Sequence, residues 1–198
     1  MGYWIIRTLS FVLLKIFFRF KVEGRQNIPG KTNFIIVANH SSFLDPIIVQ
    51  SVCPRKIHCL VWDKLYQNFF MRIFLWIEEC IPIGGIASLK AMRFLKKDRV
   101  IGIFPEGGRS FDGKLREFKR GAVLLALKTG RPIVPCAIIG AHEAYPRGAL
   151  FPKLHPIKIK IGRPVYLLKE FEDVIDDIYL QDGNFRVRRS IEEMLNAG

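Results

Sequence analysis

Paired cysteines are missing from this 198-residue chain. Cys53, Cys59, Cys80 and Cys136 form no C-x-x-C pair, and their spacing suits neither a zinc site nor a disulfide framework. They read as small buried thiols in a reducing compartment. Acidic residues are scarce: 18 Asp and Glu stand against 31 Lys and Arg, a formal charge of +13. So large a charge speaks about partners rather than fold, and it fits nucleic acid, an anionic membrane face or a phosphorylated substrate. No internal repeat, low-complexity segment or linker divides the chain. An uninterrupted apolar run of membrane-crossing length is missing too. Residues 1–20 approach the roughly 20 apolar residues that cross a bilayer, but Arg7, Lys15 and Arg19 interrupt them. No small-residue cleavage site follows, which disfavours a signal peptide. Position 6 is Ile6, where myristoylation usually requires Ser or Thr.

What is present points to a folded domain. Apolar residues make up 49% of the chain, which excludes a disordered protein, and the length suffices for one core. There are 16 Phe residues, several beside cations, as in Phe17-Phe18-Arg19-Phe20. That mixture fits a protein that meets hydrocarbon and phosphate together. A nucleic-acid binder is the rival argued from charge alone, and salt-dependent DNA or RNA binding would revive it. On a helical wheel, Arg7, Lys15 and Arg19 share one sector with Trp4, Thr8, Phe11 and Phe18. The Ile, Leu and Val residues, with Phe17 and Phe20, fill the rest. Residues 1–20 therefore read as a membrane-interface helix, apolar side down and cations toward headgroups. A helix packed on the protein's own core and a spanning helix are the alternatives. Residues 21–198 read as one domain.

Short apolar runs alternate with helical patterns. Strands are expected over Asn33–Ala38, Ile57–Trp62, Ile81–Ile83, Val100–Phe104, Ile133–Ile138 and Ile157–Ile161. Helices are expected over Pro46–Cys53, Lys64–Ile77, Ala87–Lys97, Glu117–Thr129, Phe171–Leu180 and Asn184–Asn196. The order implies an α/β fold with a mainly parallel sheet flanked by helices. Chemistry in such folds gathers in loops after the C-terminal ends of strands.

Two of those loops carry reactive groups. The first runs Asn39-His40-Ser41-Ser42-Phe43-Leu44-Asp45. A neutral imidazole takes a proton from an attacking hydroxyl, and a carboxylate on its other nitrogen fixes the tautomer. His40 and Asp45 suit that pair, with a substrate hydroxyl in place of a serine nucleophile. Asp45 also precedes Pro46, the arrangement of a helix N-cap followed by proline. The second loop runs Phe104-Pro105-Glu106-Gly107-Gly108-Arg109-Ser110. Gly107 and Gly108 let the backbone approach a ligand. Arg109 offers a planar fork for phosphate oxygens, and Glu106 an acceptor for hydroxyls. Lys114, Arg116, Lys119 and Arg120 add positive charge, and a tight turn with a basic face is the bland alternative.

Other features carry less. Val134-Pro135 lies in a strand-like run, where proline implies a sheet edge or a bulge. Glu78-Glu79 reads as a solvated corner and His58 as a satisfied core or rim residue. His142-Glu143 stands where it could line a site mouth, and His155 reads as loop surface. The cluster Phe69, Phe70, Phe74, Leu75 and Trp76 is either core or an apolar wall.

Together the segments resemble the glycerolipid acyltransferases, and the 1-acyl-sn-glycerol-3-phosphate acyltransferases among them. Asn39, His40 and Asp45 match an N-H-x-x-x-x-D block. Phe104 through Ser110 match an F-P-E-G-x-R-S block, and Val134-Pro135 a V-P block. Phe118-Lys119-Arg120-Gly121 also resembles the segment that follows. The likeness covers roughly residues 20–165. It implies that His40, oriented by Asp45, deprotonates the sn-2 hydroxyl of lysophosphatidic acid, which attacks an acyl thioester without an acyl-enzyme. It implies that Glu106, Gly107, Gly108, Arg109, Ser110 and Lys119 hold the glycerol phosphate. Val134 and Pro135 would shape the acyl-donor site. It implies no metal and no resident cofactor, with acyl-CoA or acyl-carrier protein as co-substrate. The partners expected are lysophosphatidic acid and an anionic bilayer surface, not nucleic acid. The place expected is the cytoplasmic face of the cell membrane, peripheral or monotopic. One departure bears on the acceptor. The family usually has an Arg shortly after an Ile-Pro pair, whereas Ile81-Pro82 is followed here by Ile83-Gly84-Gly85. Lys64, Arg109, Lys119 or Arg120 would then compensate, or the acceptor is another lysophospholipid or an amino-acid lipid. A lipid-binding protein without catalysis is the non-enzymatic rival.

Overall fold

The computed structural model describes residues 2–167 and 176–197. Its strands are β1 (Lys21–Glu23), β2 (Ile35–Ala38), β3 (Ile57–Trp62), β4 (Ile81–Ile83), β5 (Val100–Ile103), β6 (Ile133–Ile139) and β7 (Lys158–Ile161). They form one sheet in the order β1-β7-β6-β2-β5-β3-β4, parallel throughout except between β6 and β7. The helices are α1 (Gly2–Phe18), α2 (Asp45–Val52), α3 (Phe69–Ile77), α4 (Ala87–Lys96), α5 (Gly121–Thr129), α6 (Ala141–Ala144) and α7 (Asp177–Asn196). This is the mainly parallel, helix-flanked sheet that the alternating pattern implies.

Strand β2 shows why the layers form. All four of its residues are buried, as expected of a central parallel strand covered on both faces. Ile36 and Ala38 join Leu14 and Phe18 of α1 and Ile48, Val49 and Val52 of α2 in one core. Ile35 and Val37 join Ala91 and Leu95 of α4, Val123 and Ala126 of α5, and Val187 and Ile191 of α7 in the other. The alternation follows from the two-residue period of a strand. Each large aliphatic side chain so buried contributes about 1.5–3 kcal/mol.

Several elements differ from the sequence reading, each for a local reason. The single helix expected over Lys64–Ile77 is a 3-10 turn, Asp63–Gln67, followed by α3. Asn68 separates them, its side chain accepting from Met71 N at 3.0 Å as the cap of α3. The helix expected from Glu117 begins only at Gly121, because Lys119 N donates to Pro105 O at 2.8 Å and holds the chain extended. Helix α7 runs through Gly183 without a break. A Cβ there would lie 2.5 Å from Val123 Cγ1, so this glycine permits close helix packing instead of ending a helix. The start of the helix expected over Phe171–Leu180 lies outside the described residues. Pro135 sits in a central strand rather than at an edge, and the bulge is opposite it. Ile161 pairs with Cys136 and Val165 with Ile133, a one-residue slip. The ring of Pro135 faces Gly162, whose N–H donates to Pro135 O at 2.8 Å.

Helix α1 packs one stripe inward. Tyr3, Leu14 and Phe18 are buried, and Arg7 Nε donates to Cys53 O at the end of α2 at 2.8 Å. Of the cation-bearing sector, Arg7, Phe11 and Phe18 thus face the protein, whereas Trp4, Thr8, Lys15 and Arg19 are exposed. Trp4, Ile5, Leu9, Val12, Leu13, Ile16 and Phe17 face outward. Among the described residues, no helix is long and apolar enough to cross a membrane. In α3, Phe69, Phe70, Ile73 and Trp76 are exposed and only Leu75 is buried, so this cluster is a wall and not core.

Glu78 is fully buried, contrary to the solvated corner read from sequence. It ends α3, with Gln50 beside it and no ion pair among the described residues. Glu79 alone faces outward, paired with Lys56 and Arg99 at 2.7 Å each. Burial pushes the Glu78 carboxyl from 4.5 to about 7, against the opposing pull of Lys56. The native state therefore binds this proton more tightly than the unfolded chain does. Stability should fall as pH rises through the window from 4.5 to about 7 and level off above it. Urea denaturation should find Glu78→Gln more stable than wild type at pH above this window, by up to about 3 kcal/mol, with the two converging in acid. A stability difference independent of pH would contradict this.

Candidate active site

Strands β6, β2 and β5 are neighbours at the centre of the sheet and run the same way. Their C-terminal ends therefore deliver His40, Glu106 and Gly140 to one edge. Asn39 ends β2 in an unusual manner. Its side-chain amide donates to Ile138 O at 2.9 Å and accepts from Ile138 N at 2.7 Å, which continues the ladder to β6 by one residue.

From there the chain turns around Asp45. This carboxylate has no exposure. Its Oδ2 accepts from Ser41 N at 2.7 Å, Ser42 N at 2.7 Å and His40 Nδ1 at 2.8 Å. Asp45 is the first residue of α2, yet Leu44 holds the cap position and makes no side-chain cap bond. The aspartate thus bonds to the preceding loop instead of capping the helix. With Asp45 accepting, the ring proton belongs on Nδ1, which leaves Nε2 as a free acceptor. The His40 ring stacks on Phe104 with centroids 4.3 Å apart and keeps 17% exposure. A tautomer-fixed, partly open imidazole is able to take a proton from a hydroxyl at Nε2.

The Gly-Gly loop holds the histidine's backbone. Glu106 Oε1 accepts from His40 N at 2.6 Å, and Glu106 Oε2 from Arg116 N at 3.1 Å. Ser110 N donates to His40 O at 2.8 Å. Both backbone groups of His40 are thus fixed by one loop. Glu106 and Ser110 are only 4% and 1% exposed. The Glu106 carboxylate and the Ser110 backbone N–H are thus braces for His40, while Ser110 Oγ lies 3.4 Å from Asp112 Oδ1. Burial raises the Glu106 carboxyl above its ordinary range, while the bonds from His40 and Arg116 act the other way.

Positive charge converges on the same mouth. Arg109 lies over the Phe43 ring, 3.4 Å from its centroid. Burial lowers its pKa, and the neighbouring charge of Arg147 adds to that. Gly107 has φ +72, and a Cβ there would meet Lys119 Cε and Nζ at 2.7 Å, so the lysine stem crosses directly over the glycine. The Lys119 ammonium forms no ion pair among the described residues. Gly108 lies against Trp62. Arg120 is engaged elsewhere, in an ion pair with Asp177. Lys64 is exposed just after β3, and Gly84 and Gly85 face open space after β4. Of the residues expected at the phosphate, Gly107, Gly108, Arg109 and Lys119 are brought together. Val134 and Pro135 are buried inside β6, and Pro135 pairs with Val37, three residues before His40. They lie beneath the His40 loop, within the sheet.

Some contacts were not visible in the sequence: the stacking of Phe104 on His40, the Phe43 ring under Arg109 and the carbonyl of Tyr145. Ser42 Oγ donates to Tyr145 O at 2.8 Å, which ties the loop after α6 to the histidine segment. His142 packs against Gly113 near the rim. His58 is buried, with Nδ1 3.2 Å from Glu79 O, and burial lowers its pKa. His155 Nδ1 is 3.0 Å from Pro156 O. All four cysteines are free, and burial pushes the Cys53 thiol up to about 11 and Cys80 to about 12.

Comparison with known proteins agrees with this fold. The family model described as Acyltransferase matches residues 19–139. A 1-acyl-sn-glycerol-3-phosphate acyltransferase of Borreliella burgdorferi is 34% identical, over 66% of this chain and 55% of that protein. One of Bacillus subtilis is 30% identical, over 74% of this chain and 73% of that protein. The chain thus spans a little over half the length of some of these relatives. The crystal structure of the 1-acyl-sn-glycerophosphate acyltransferase PlsC from Thermotoga maritima superposes with a TM-score of 0.80 at 27% identity. The match covers 97% of this chain and 79% of that one. The family match takes in β1 through β6 and both loops that meet at His40, and the chain belongs to the Acyltransferase family.

Proposed function

We propose that this protein transfers a fatty acyl group from an acyl thioester to the sn-2 hydroxyl of 1-acyl-glycerol-3-phosphate, giving phosphatidic acid. The observation that carries the reading is the buried Asp45 carboxylate 2.8 Å from His40 Nδ1, with Arg109 at the same mouth. In the proposed step His40 Nε2 takes the proton from the acceptor hydroxyl. The hydroxyl oxygen attacks the thioester carbonyl, and the C–S bond breaks as the thiol leaves with a proton. Asp45 stabilises the imidazolium formed meanwhile. The donor is acyl-CoA or acyl-carrier protein. Arg109 and Lys119 would hold the acceptor phosphate, with the glycine backbone close by.

The outward apolar row of α1 supports a peripheral or monotopic place on the cytoplasmic face of the membrane. The Gly84–Gly85 turn favours a second reading, transfer to another lysophospholipid or lipid acceptor. A panel of acceptors with one donor separates the two: product from lysophosphatidic acid alone supports the first.

Acyl transfer to lysophosphatidic acid on liposomes should fall about 10²–10⁴-fold in His40→Ala. The variant's melting transition should remain cooperative. Turnover retained by a folded His40→Ala protein would remove the base. Arg109→Ala should raise KM for the phosphorylated acceptor roughly tenfold and change kcat little. An unchanged KM would take Arg109 out of the phosphate site.

A further inference from the structure

The loop between α6 and β7 presents an apolar tip that nothing among the described residues covers. Leu150, Phe151 and Leu154 are 84%, 80% and 77% exposed. The base of the loop is held firmly. Lys153 N donates to Ala144 O at 2.7 Å, and Ile157 N donates to Phe18 O, the last residue of α1, at 2.9 Å. The three side chains are therefore displayed on a braced turn. Exposing three large apolar groups on one short loop is costly in water, which marks such a patch as an interaction site.

Its position is set by the sheet. Strand β7 begins at Lys158, which pairs with Ile139 at the C-terminal end of β6. The loop thus leaves the same edge of the sheet as His40. The Ser42–Tyr145 bond ties its root to the histidine segment. Strand β1 begins at Lys21, also opposite Lys158, so α1 ends at this edge too. Ile16 and Phe17, both exposed, therefore lie at the same end as the loop tip. The exposed ring of Phe111 belongs to this rim as well, with the Arg147 guanidinium 4.2 Å from its centroid.

The charge identifies the occupant. Between Glu143 and Glu170 the sequence contains no acidic residue, while Arg147 and Lys153 lie within the loop. Lys15 and Arg19 flank the end of α1. Apolar side chains at the tip with cations at their base match acyl chains beneath anionic headgroups. We propose that the Leu150–Leu154 loop inserts into an anionic bilayer together with the C-terminal end of α1. The catalytic edge of the sheet is then turned onto the membrane, and the acceptor hydroxyl reaches His40 from the lipid surface. This rests on the reading of the acceptor as a membrane lipid, and it adds a second contact to α1 that fixes orientation.

The test is flotation with vesicles of equimolar phosphatidylcholine and phosphatidylglycerol, comparing wild type with the triple variant Leu150→Ser, Phe151→Ser and Leu154→Ser. The exposed positions leave the fold intact, as a thermal melt will register. The variant should partition roughly tenfold or more weakly. It should lose turnover of vesicle-borne lysophosphatidic acid and keep turnover of a short-chain analogue dissolved as monomer. Unchanged partitioning overturns the proposal. So does an equal loss on the dissolved acceptor, which would place the loop in the chemistry. A dimer in sedimentation that dissociates in the variant, with partitioning unchanged, would assign the patch to a second copy of the chain. Flotation reads the loop even if wild type acylates no acceptor, so failure of the functional reading is seen separately.

Discussion

A carboxylate without solvent must find hydrogen bonds within the protein, and Asp45 finds three on one oxygen. Two come from consecutive backbone amides of the loop it closes, and the third from an imidazole. Bonds to a charged acceptor contribute roughly 1.5–3 kcal/mol each, and an uncompensated buried charge costs more than that. The loop therefore has little freedom to open while Asp45 stays ionised. The same bonds that satisfy Oδ2 aim His40 Nδ1 at it and leave Nε2 without a protein partner, while Oδ1 is buried with no hydrogen bond among the described residues. Folding and chemical competence are one constraint at this point.

The surrounding structure supports that arrangement. The central position of β2 makes its end the meeting point of loops from β5 and β6. Glu106 and Ser110 hold His40 from one side, and the Asn39 amide holds the strand end from the other. Phe104 supports the ring face. Side chains that the motif presents as ligands divide into two groups. The buried Glu106 carboxylate holds the His40 backbone, and buried Ser110 does so through its own N–H. The half-exposed Arg109 and the stem of Lys119 stay near the mouth. Aromatic faces beneath Arg109 and Arg147 keep these cations extended at the rim, where an anionic group meets them.

Much of the fold was legible because its central strands are apolar on both faces. Runs such as NFIIVA and VIGIF have few alternatives to a buried strand. Strand β1, with the sequence KVE, was not legible, because its single apolar residue stands between two charges, whereas the equally short edge strand β4 reads IPI. Helix α6 spans four residues and leaves no periodic trace. Gly183 signals a break in sequence, and only the approach of Val123 shows why a helix needs it. At the site, residue types announced a base, a carboxylate and a phosphate fork. The direction in which each side chain points is a tertiary property. Glu106 turns inward because two backbone N–H groups await it, and Arg7 turns inward because Cys53 O does. Glu78 is buried although its neighbour Glu79 carries all the ion pairs, and adjacency in sequence could not separate the two. The apolar tip at Leu150–Leu154 was legible as residues but not as a surface.

The central claim is that Asp45 holds His40 in the tautomer that leaves Nε2 free to act as base. Imidazole nitrogen NMR of His40, at a pH where the ring is neutral, tests it most directly. The account predicts a protonated Nδ1 and a bare Nε2 in the folded chain, and loss of that preference in Asp45→Asn. A proton on Nε2 in the wild-type chain, or a tautomer indifferent to the Asp45 carboxylate, would contradict it.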